Sequence, residues 1–394
     1  MKVAFICDVL GSENNGTTVA AMNFIRSLKS KGHDVRVVCP DRAKCGQEGW
    51  FVVPTFNLGR ALNRYVEKNG VTLARPDVEI LKYAMRDADI VHVLLPFPVG
   101  AKAVRLAKEM GKPVTASFHC QAENFTNHIF LMNSRKANDL TYRVFWHSLY
   151  NKCDAVHYPT EFIREVFESA TAPTNAYVIS NGVNSDFVQR DVPKPDCFND
   201  KFVILFSGRY SKEKSHRVLI DGVSRSKYAD RIQLVFAGAG PLHDKLARYA
   251  EKKLVNQPLF KFFSRDELID VINYSDLYVH PAEIEIEAIS CLEAITCGLV
   301  PVIANSPRSA TRYFALGENN LFDYNNPDSL AQRIDFWLEH PEERELCREQ
   351  YLGYTTRFQQ KKCMDEMEKM LLQTIERHNY GTQKDGVLYR PAQG

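Results

Sequence analysis

Apolar and polar positions follow two rhythms along this chain. The opening stretch "KVAFICDV" is a short continuous apolar run, the pattern of a strand covered on both faces. A loop rich in Gly, Asn and Ser follows ("LGSENNGTTVAA"), and then "VAAMNFIRSLKSKGH" places apolar residues at helical spacing as far as Gly32. "DVRVVCP" predicts the next strand and completes a β-α-β unit. Further strands are predicted at "IVHVLLP" (90–96), "PVTASFH" (113–119) and "AVHYPT" (155–160).

A second series begins near residue 202. "FVILFSGR", "IQLVFAGAG", "LFKFFS", "DLYVHPA" and "LVPVIAN" predict strands. "SHRVLIDGVSRS", "PLHDKLARYAEKK", "DELIDVINYS" and "AISCLEAITCG" predict the helices between them. Such alternation defines an α/β chain with parallel sheets. The polar, proline-containing stretch 184–200 reads as the linker between two domains, 1–190 and 200–356. More helices are predicted near 342–352 and 357–377, and the tail "NYGTQKDGVLYRPAQG" has no period and is expected to be loose. Two doubly wound domains facing each other would leave a cleft where their strand C-termini meet, the usual place for a ligand.

The length of 394 residues suits two domains rather than one core. A net charge of +2 argues against a nucleic-acid binder. No run of ~18 apolar residues occurs, so no membrane span is expected. The start lacks the length and cleavage site of a signal peptide. The ten cysteines form no Cys-x-x-Cys pair and no zinc spacing, which reads as reduced core thiols in a cytoplasmic protein.

Three loops carry candidate chemistry. In "SGRYSKEKS" (207–215) a strand ends at Gly208, and Arg209 and Lys214 flank the turn into a helix. Helix amides plus two cations suit a diphosphate, although the same residues could pair with Glu213 or Asp221 at the surface. In "GSENNGTTVAA" (11–21), Gly16 would let backbone approach a ligand, or simply make a turn. In "EIEAISCLEA" (285–294), Glu285 and Glu293 stand eight residues apart, with the amides of Ile286, Glu287 and Ala288 between them at a helix start. Carboxylates there can accept from sugar hydroxyls, or be solvated charges and a partner for Arg. "GAGPLH" (238–243) lacks the last glycine of a dinucleotide fingerprint, which disfavours a dehydrogenase.

Taken in order, the N-terminal Gly loop, "LKSKGHDVRVV", "ISNGV" (179–183), "SGRYSKEK", "LVFAGAGPL", "KFFSRDELIDVINYSDLYVHPAE", the Glu285/Glu293 pair and "EAITCGLVPVIA" resemble the retaining glycosyltransferases of family four, which have the GT-B fold. That fold is two facing Rossmann-like domains with a deep cleft, and the helix near 357–380 packs back on the first. The resemblance implies that Arg209 and Lys214 grip the donor diphosphate beside Gly208. It gives Glu293 the ribose and Glu285 the transferred sugar. Backbone around Phe263, Ser264 and Arg265 would contact the base, Gly16 would approach phosphate or acceptor, and His119 would face the sugar. It also implies a retaining, front-face displacement in which the leaving phosphate takes the acceptor proton, with no metal and no cofactor beyond the nucleotide-sugar substrate. One departure stands out: the family often has an aromatic residue and Gly where this chain has Glu287 and Ala288.

The N-terminal half is similar to bacterial members that glycosylate membrane lipids, diacylglycerol in particular, with UDP-glucose as expected donor. "SFHCQAENFTNHI" (117–129) would supply the acceptor side through His119, Glu123 and Asn124. The stretches 56–70 and 135–152 mix aromatic or aliphatic with basic residues. They read either as ordinary helices or as surfaces for the anionic inner face of the cell membrane. A polysaccharide or soluble acceptor is the second reading; a nucleotide-sugar epimerase or non-catalytic binder is the third.

Overall fold

A computed structural model describes residues 1–10, 16–57, 59, 74–127 and 131–387. Its chain forms two compact units, Met1–Ser180 with Cys363–Gly394, and Asn181–Lys362. Each is built on one parallel sheet.

The first sheet has seven strands in the order β3-β2-β1-β4-β5-β6-β7. They are β1 Lys2–Ile6, β2 Asp34–Cys39, β3 Trp50–Val52, β4 Ile90–Val93, β5 Val114–Ser117, β6 Ala155–Tyr158 and β7 Ala176–Val178. Its helices are α1 Gly16–Ser30, α2 Val78–Met85, α3 Pro98–Glu109, α4 Ala122–Thr126, α5 Arg135–Ser148 and α6 Glu161–Ala170. The second sheet has six strands in the order β10-β9-β8-β11-β12-β13: β8 Phe202–Ser207, β9 Ile232–Ala237, β10 Leu259–Lys261, β11 Leu277–His280, β12 Pro301–Ala304 and β13 Leu321–Phe322. Around it lie α7 His216–Arg225, α8 His243–Glu251, α9 Arg265–Tyr274, α10 Ile289–Thr296, α11 Pro327–Glu339 and α12 Pro341–Tyr354. The helix α13, Gln360–Val387, closes the described chain. Both sheets place their first strand centrally and reverse direction beside it, at β1/β4 and at β8/β11. This is the doubly wound α/β arrangement expected from the alternation.

Continuous burial explains the central strands: β4, β5, β6, β11 and β12 are buried at every residue. The helix α1 turns Ala20, Ala21, Phe24, Ile25 and Leu28 inward at helical spacing. The helix α13 belongs to the first unit: Cys363, Met364, Met367, Met370 and Leu371 join the same core as Val3, Phe5 and Val37. Fully burying such side chains contributes roughly 1.5–3 kcal/mol each. Lys31 donates to Asp365 and Glu368 at 2.5 Å, and His33 meets Glu368 at 2.6 Å.

Two expectations about the connections change. The stretch 184–200 is not a free linker, for it packs on the second unit. The Arg190 amide donates to Asn273 Oδ1 at 2.6 Å, and Lys194 Nζ to Asp276 at 2.5 Å. Of the tail expected to be loose, residues 379–387 continue α13 as helix, and 388–394 lie outside the described residues. Most of the basic stretch 56–70 lies outside the described residues, as does part of the loop 11–21.

Candidate active site

At the β8/β11 reversal, two loops converge. The strand β8 ends at Ser207, and Gly208 takes φ +153°, where a Cβ would sit 3.1 Å from Phe206 Cζ. Beyond it the chain makes the turn that carries Arg209 and Lys214 and enters α7 through Ser215, a left-handed residue at φ 51°. The loop after β11 is tied to this turn by the Glu283 amide, which donates to the Glu213 carbonyl at 2.8 Å. Glu285 is pinned on its other side, where its carbonyl accepts from the Ala310 amide at 2.9 Å.

This geometry brings Lys214 and Glu285, 71 residues apart in sequence, into a salt bridge. The alternative partners Glu213 and Asp221 do not take Lys214. The buried Glu285 carboxylate also meets His280 Nε2 at 3.0 Å, and His280 Nδ1 lies 3.2 Å from the Tyr278 hydroxyl. A carboxylate can only accept, so Nε2 donates. Burial keeps the ring neutral, so Nδ1 accepts from Tyr278. Burial pushes the Glu285 carboxyl up, but the Lys214 ammonium and the His280 N–H overcome it and hold it at about 2.

Glu293, the fifth residue of α10, has the opposite character. Burial pushes its carboxyl up to about 8, against the pull of the Arg265 guanidinium. Eight residues therefore separate an ionised carboxylate from one that is largely protonated at neutral pH.

The segment between them departs from expectation. The helix α10 begins at Ile289, and Ala288 caps it in the left-handed region at φ 59°, which costs roughly 1–2 kcal/mol for a residue with a Cβ. Glu287 is not a solvated charge. It is 3% exposed, and its carboxylate accepts from the Asn181 amide (3.2 Å to each oxygen) and from Asn181 Nδ2 at 2.5 Å. The extra negative charge of this turn is thus held by the first residue of the same unit.

Other predicted residues lie as follows. Ser264 caps α9 in a capping box, with its amide donating to Glu267 at 2.8 Å, so this amide is already engaged rather than offered to a base. Arg265 pairs with Asp186 at 3.6 Å. The "GAG" glycines serve packing: a Cβ on Gly238 would stand 2.1 Å from the Gly208 carbonyl, and one on Gly240 would stand 2.6 Å from the Tyr210 amide. They let the β9 loop lie against the Arg209 turn.

In the first unit, Gly16 is the first residue of α1, and a Cβ there would meet nothing within 4 Å. His119 follows β5 by two residues. Its ring lies edge-on to His157 at 5.8 Å, and burial, with His157 and His92 nearby, keeps it neutral. Glu123 is buried and accepts from the Tyr142 hydroxyl at 3.0 Å, whereas Asn124 is exposed. Thus Glu123 already holds α4 against α5 instead of facing outward.

Sequence reasoning missed a hydrogen-bonded chain across the first sheet. His157 Nε2 donates to the Ile179 carbonyl at 2.7 Å and its Nδ1 accepts from Ser117 at 2.9 Å. Ser117 accepts from His92 Nε2 at 3.0 Å, and His92 Nδ1 accepts from Thr115 at 2.9 Å. At the β1/β4 reversal, Asp8 accepts from the amides of Val99 and Gly100 at 2.8 and 3.0 Å. Burial nevertheless pushes its carboxyl up to about 7.

Two Rossmann-like units, each on a doubly wound parallel sheet, make up the GT-B architecture. The family described as "Glycosyltransferase Family 4" matches residues 14–187, and that described as "Glycosyl transferases group 1" matches residues 188–351. The chain belongs to the GT-B glycosyltransferases of family four. It is 22% identical over 357 residues to an alpha-monoglucosyldiacylglycerol synthase of Acholeplasma laidlawii, covering 83% of this chain and 86% of the relative. Anabaena HepE in complex with UDP-glucose shares the fold, with a TM-score of 0.71 at 15% identity over 95% of this chain and all of that one (100%). Over 39% of its length the chain is also 47% identical to the catalytic domain of a cholesterol-alpha-glucosyltransferase from Helicobacter pylori, covering 96% of that domain, with a TM-score of 0.38.

Proposed function

We propose that this glycosyltransferase moves a hexose, glucose by preference, from a UDP sugar to a hydroxyl of a membrane lipid such as diacylglycerol, with retention at the anomeric carbon. The carrying observation is the meeting of Lys214 and Glu285 at the β8/β11 reversal, with Arg209 on the same turn as Lys214. Arg209, Lys214 and the first amides of α7 and α10 bind the diphosphate. The Glu285 carboxylate accepts from hydroxyls of the transferred sugar, and Glu293 holds the ribose. The bond from the anomeric carbon to the β-phosphate breaks as the acceptor oxygen bonds on the same face, and the acceptor proton passes to the departing phosphate. Two cations and helix amides stabilise that phosphate in place of a metal. His119, neutral, can hydrogen-bond the sugar without adding charge.

A lipid acceptor is supported by the Acholeplasma relative's named activity and by α5. Lys136, Leu140, Arg143, Val144 and His147 share the exposed side of that helix, with Leu140 63% and Val144 55% exposed. An apolar stripe among cations suits an anionic lipid surface. No helix among the described residues is long and apolar enough to cross a membrane.

The test is product analysis with labelled UDP-, GDP- and ADP-hexoses, each offered diacylglycerol, a sterol or a soluble sugar, with and without excess chelator. An α-glucosyl lipid formed from UDP-glucose in chelator is the expected result. Transfer to the soluble sugar alone favours the polysaccharide reading. Metal-reversible loss of activity overturns the metal-free reading, and binding without any transfer overturns the enzyme.

A further inference from the structure

We propose that His280 is a positioning residue: it keeps the Glu285 carboxylate ionised and aimed at the sugar once Lys214 has turned to the donor diphosphate, and Tyr278 fixes the tautomer that lets it do so. The inference rests on the donor-site reading given above. It starts from a conflict within that site. Lys214 is needed at the diphosphate, yet it is bonded to Glu285. A diphosphate carries more charge than one carboxylate and draws the ammonium toward itself. Glu285 then stays buried with part of its compensation gone, and a buried carboxylate left without partners takes up a proton.

His280 is built to remain. It is 0% exposed, in the last position of β11, and its ring is held at both nitrogens. The Tyr278 hydroxyl occupies Nδ1, which leaves the proton on Nε2, facing Glu285. Tyr278 is itself fixed near the Ser207 carbonyl and Ser290 Oγ, each at 3.4 Å. The ionisable groups around the carboxylate are Lys214 from the turn after β8, His280 and Tyr278 from β11, and Cys291 from α10; Glu293 of α10 acts on Tyr278, and His216 of α7 packs, like His280, against Phe206. Burial keeps both histidines, the tyrosine and the thiol neutral. Lys214 is therefore the cation among them, and His280 is the uncharged donor that stays when it leaves.

The test compares wild type, His280→Leu, His280→Gln and Tyr278→Phe, using UDP-glucose turnover from pH 4 to 9 and UDP binding by calorimetry. We expect His280→Leu to lower kcat about 10- to 100-fold, the usual loss for a hydrogen bond to a charged group or a supporting residue. UDP affinity should stay within about 3-fold, since His280 does not touch the phosphates. The acid limb of kcat should move to higher pH further than that of kcat/KM, because kcat reports the complex in which Lys214 is on the donor. In His280→Gln the amide N–H replaces Nε2–H and should restore most of the rate. Tyr278→Phe should fall about 3- to 10-fold. A folded His280→Leu with wild-type kcat and acid limb overturns the inference, and so do equal shifts of the two limbs. Should His280→Leu fail to fold, a wild-type kcat in Tyr278→Phe overturns it. Failure of the donor-site reading would show earlier, as wild type that neither binds UDP nor turns over UDP-glucose, and would take the inference with it.

Discussion

At the end of β1, Asp8 turns its carboxylate onto the amides of Val99 and Gly100 at the start of α3. At the end of β8, the corresponding strand of the second sheet, the chain instead supplies Arg209 and Lys214, and Glu285 answers from beyond β11. The two sheets share one strand order over six strands, including both reversals, so the difference between the reversals lies in side chains. In the first unit the reversal is closed by its own carboxylate, and the neighbouring strands carry a neutral chain from Thr115 through His92 and Ser117 to His157. In the second unit it is charged and its partners are exchangeable. The same scaffold thus makes one reversal held by neutral hydrogen bonds and a carboxylate on helix amides, and another held by a buried ion pair.

The largest test of this contrast lies within the second unit. Glu285→Gln replaces a carboxylate that is ionised across the neutral range, and should lower kcat with UDP-glucose about 100- to 1000-fold, the scale for a preorganised electrostatic contact. Glu293→Gln replaces a carboxyl that is mostly protonated at pH 7, and should cost less than about 10-fold. Equal losses would erase the distinction between the two acids.

Stability against pH separates them again. The Glu293 carboxyl is raised from 4.5 to about 8 in the folded protein. Its contribution is present below pH 4.5 and is lost as pH rises through 8. Glu293→Gln removes that dependence. Between pH 4 and pH 9, urea unfolding should show the variant gaining on wild type by on the order of 5 kcal/mol. A variant that keeps the wild-type pH slope would contradict the assignment.

Ser117→Ala probes the neutral edge. It leaves the His92 N–H without its acceptor and His157 Nδ1 without its donor, at about 1–3 kcal/mol for each buried group. The loss should appear in denaturant unfolding, with UDP affinity unchanged. A parallel fall in UDP affinity would show that the two edges are not chemically separate. The smallest effect belongs to Ala288→Gly, which relieves the left-handed cap of α10 and should stabilise the protein by about 0.5–1 kcal/mol in the same measurement.

The core strands were legible in the sequence because their residues are continuously apolar and buried. The strands β3, β7 and β13 were not, since "WFV", "AYV" and "LF" are short and half-exposed edge segments with no period to read. Arg209, Lys214 and Glu285 were singled out as candidates in loops beyond strand ends, and the family resemblance gave them their expected roles; the structure brings Lys214 and Glu285 together. His280 was hidden because it sits inside the apolar run "DLYVHPA", where one polar residue does not break the pattern. The role of Glu287 was illegible for a different reason: its partner Asn181 lies 106 residues away, and only the folded second unit brings them together.

The helix α13 completes a core whose other members come from the first half of the chain. During synthesis the N-terminal sheet leaves the ribosome early but lacks Met364, Met367, Met370 and Leu371 until the second unit has been made. The part translated first is therefore the part finished last. A stop codon just after Lys362 would leave the second unit's sheet complete and expose apolar surface on the first, marking the truncated product for chaperones and proteases.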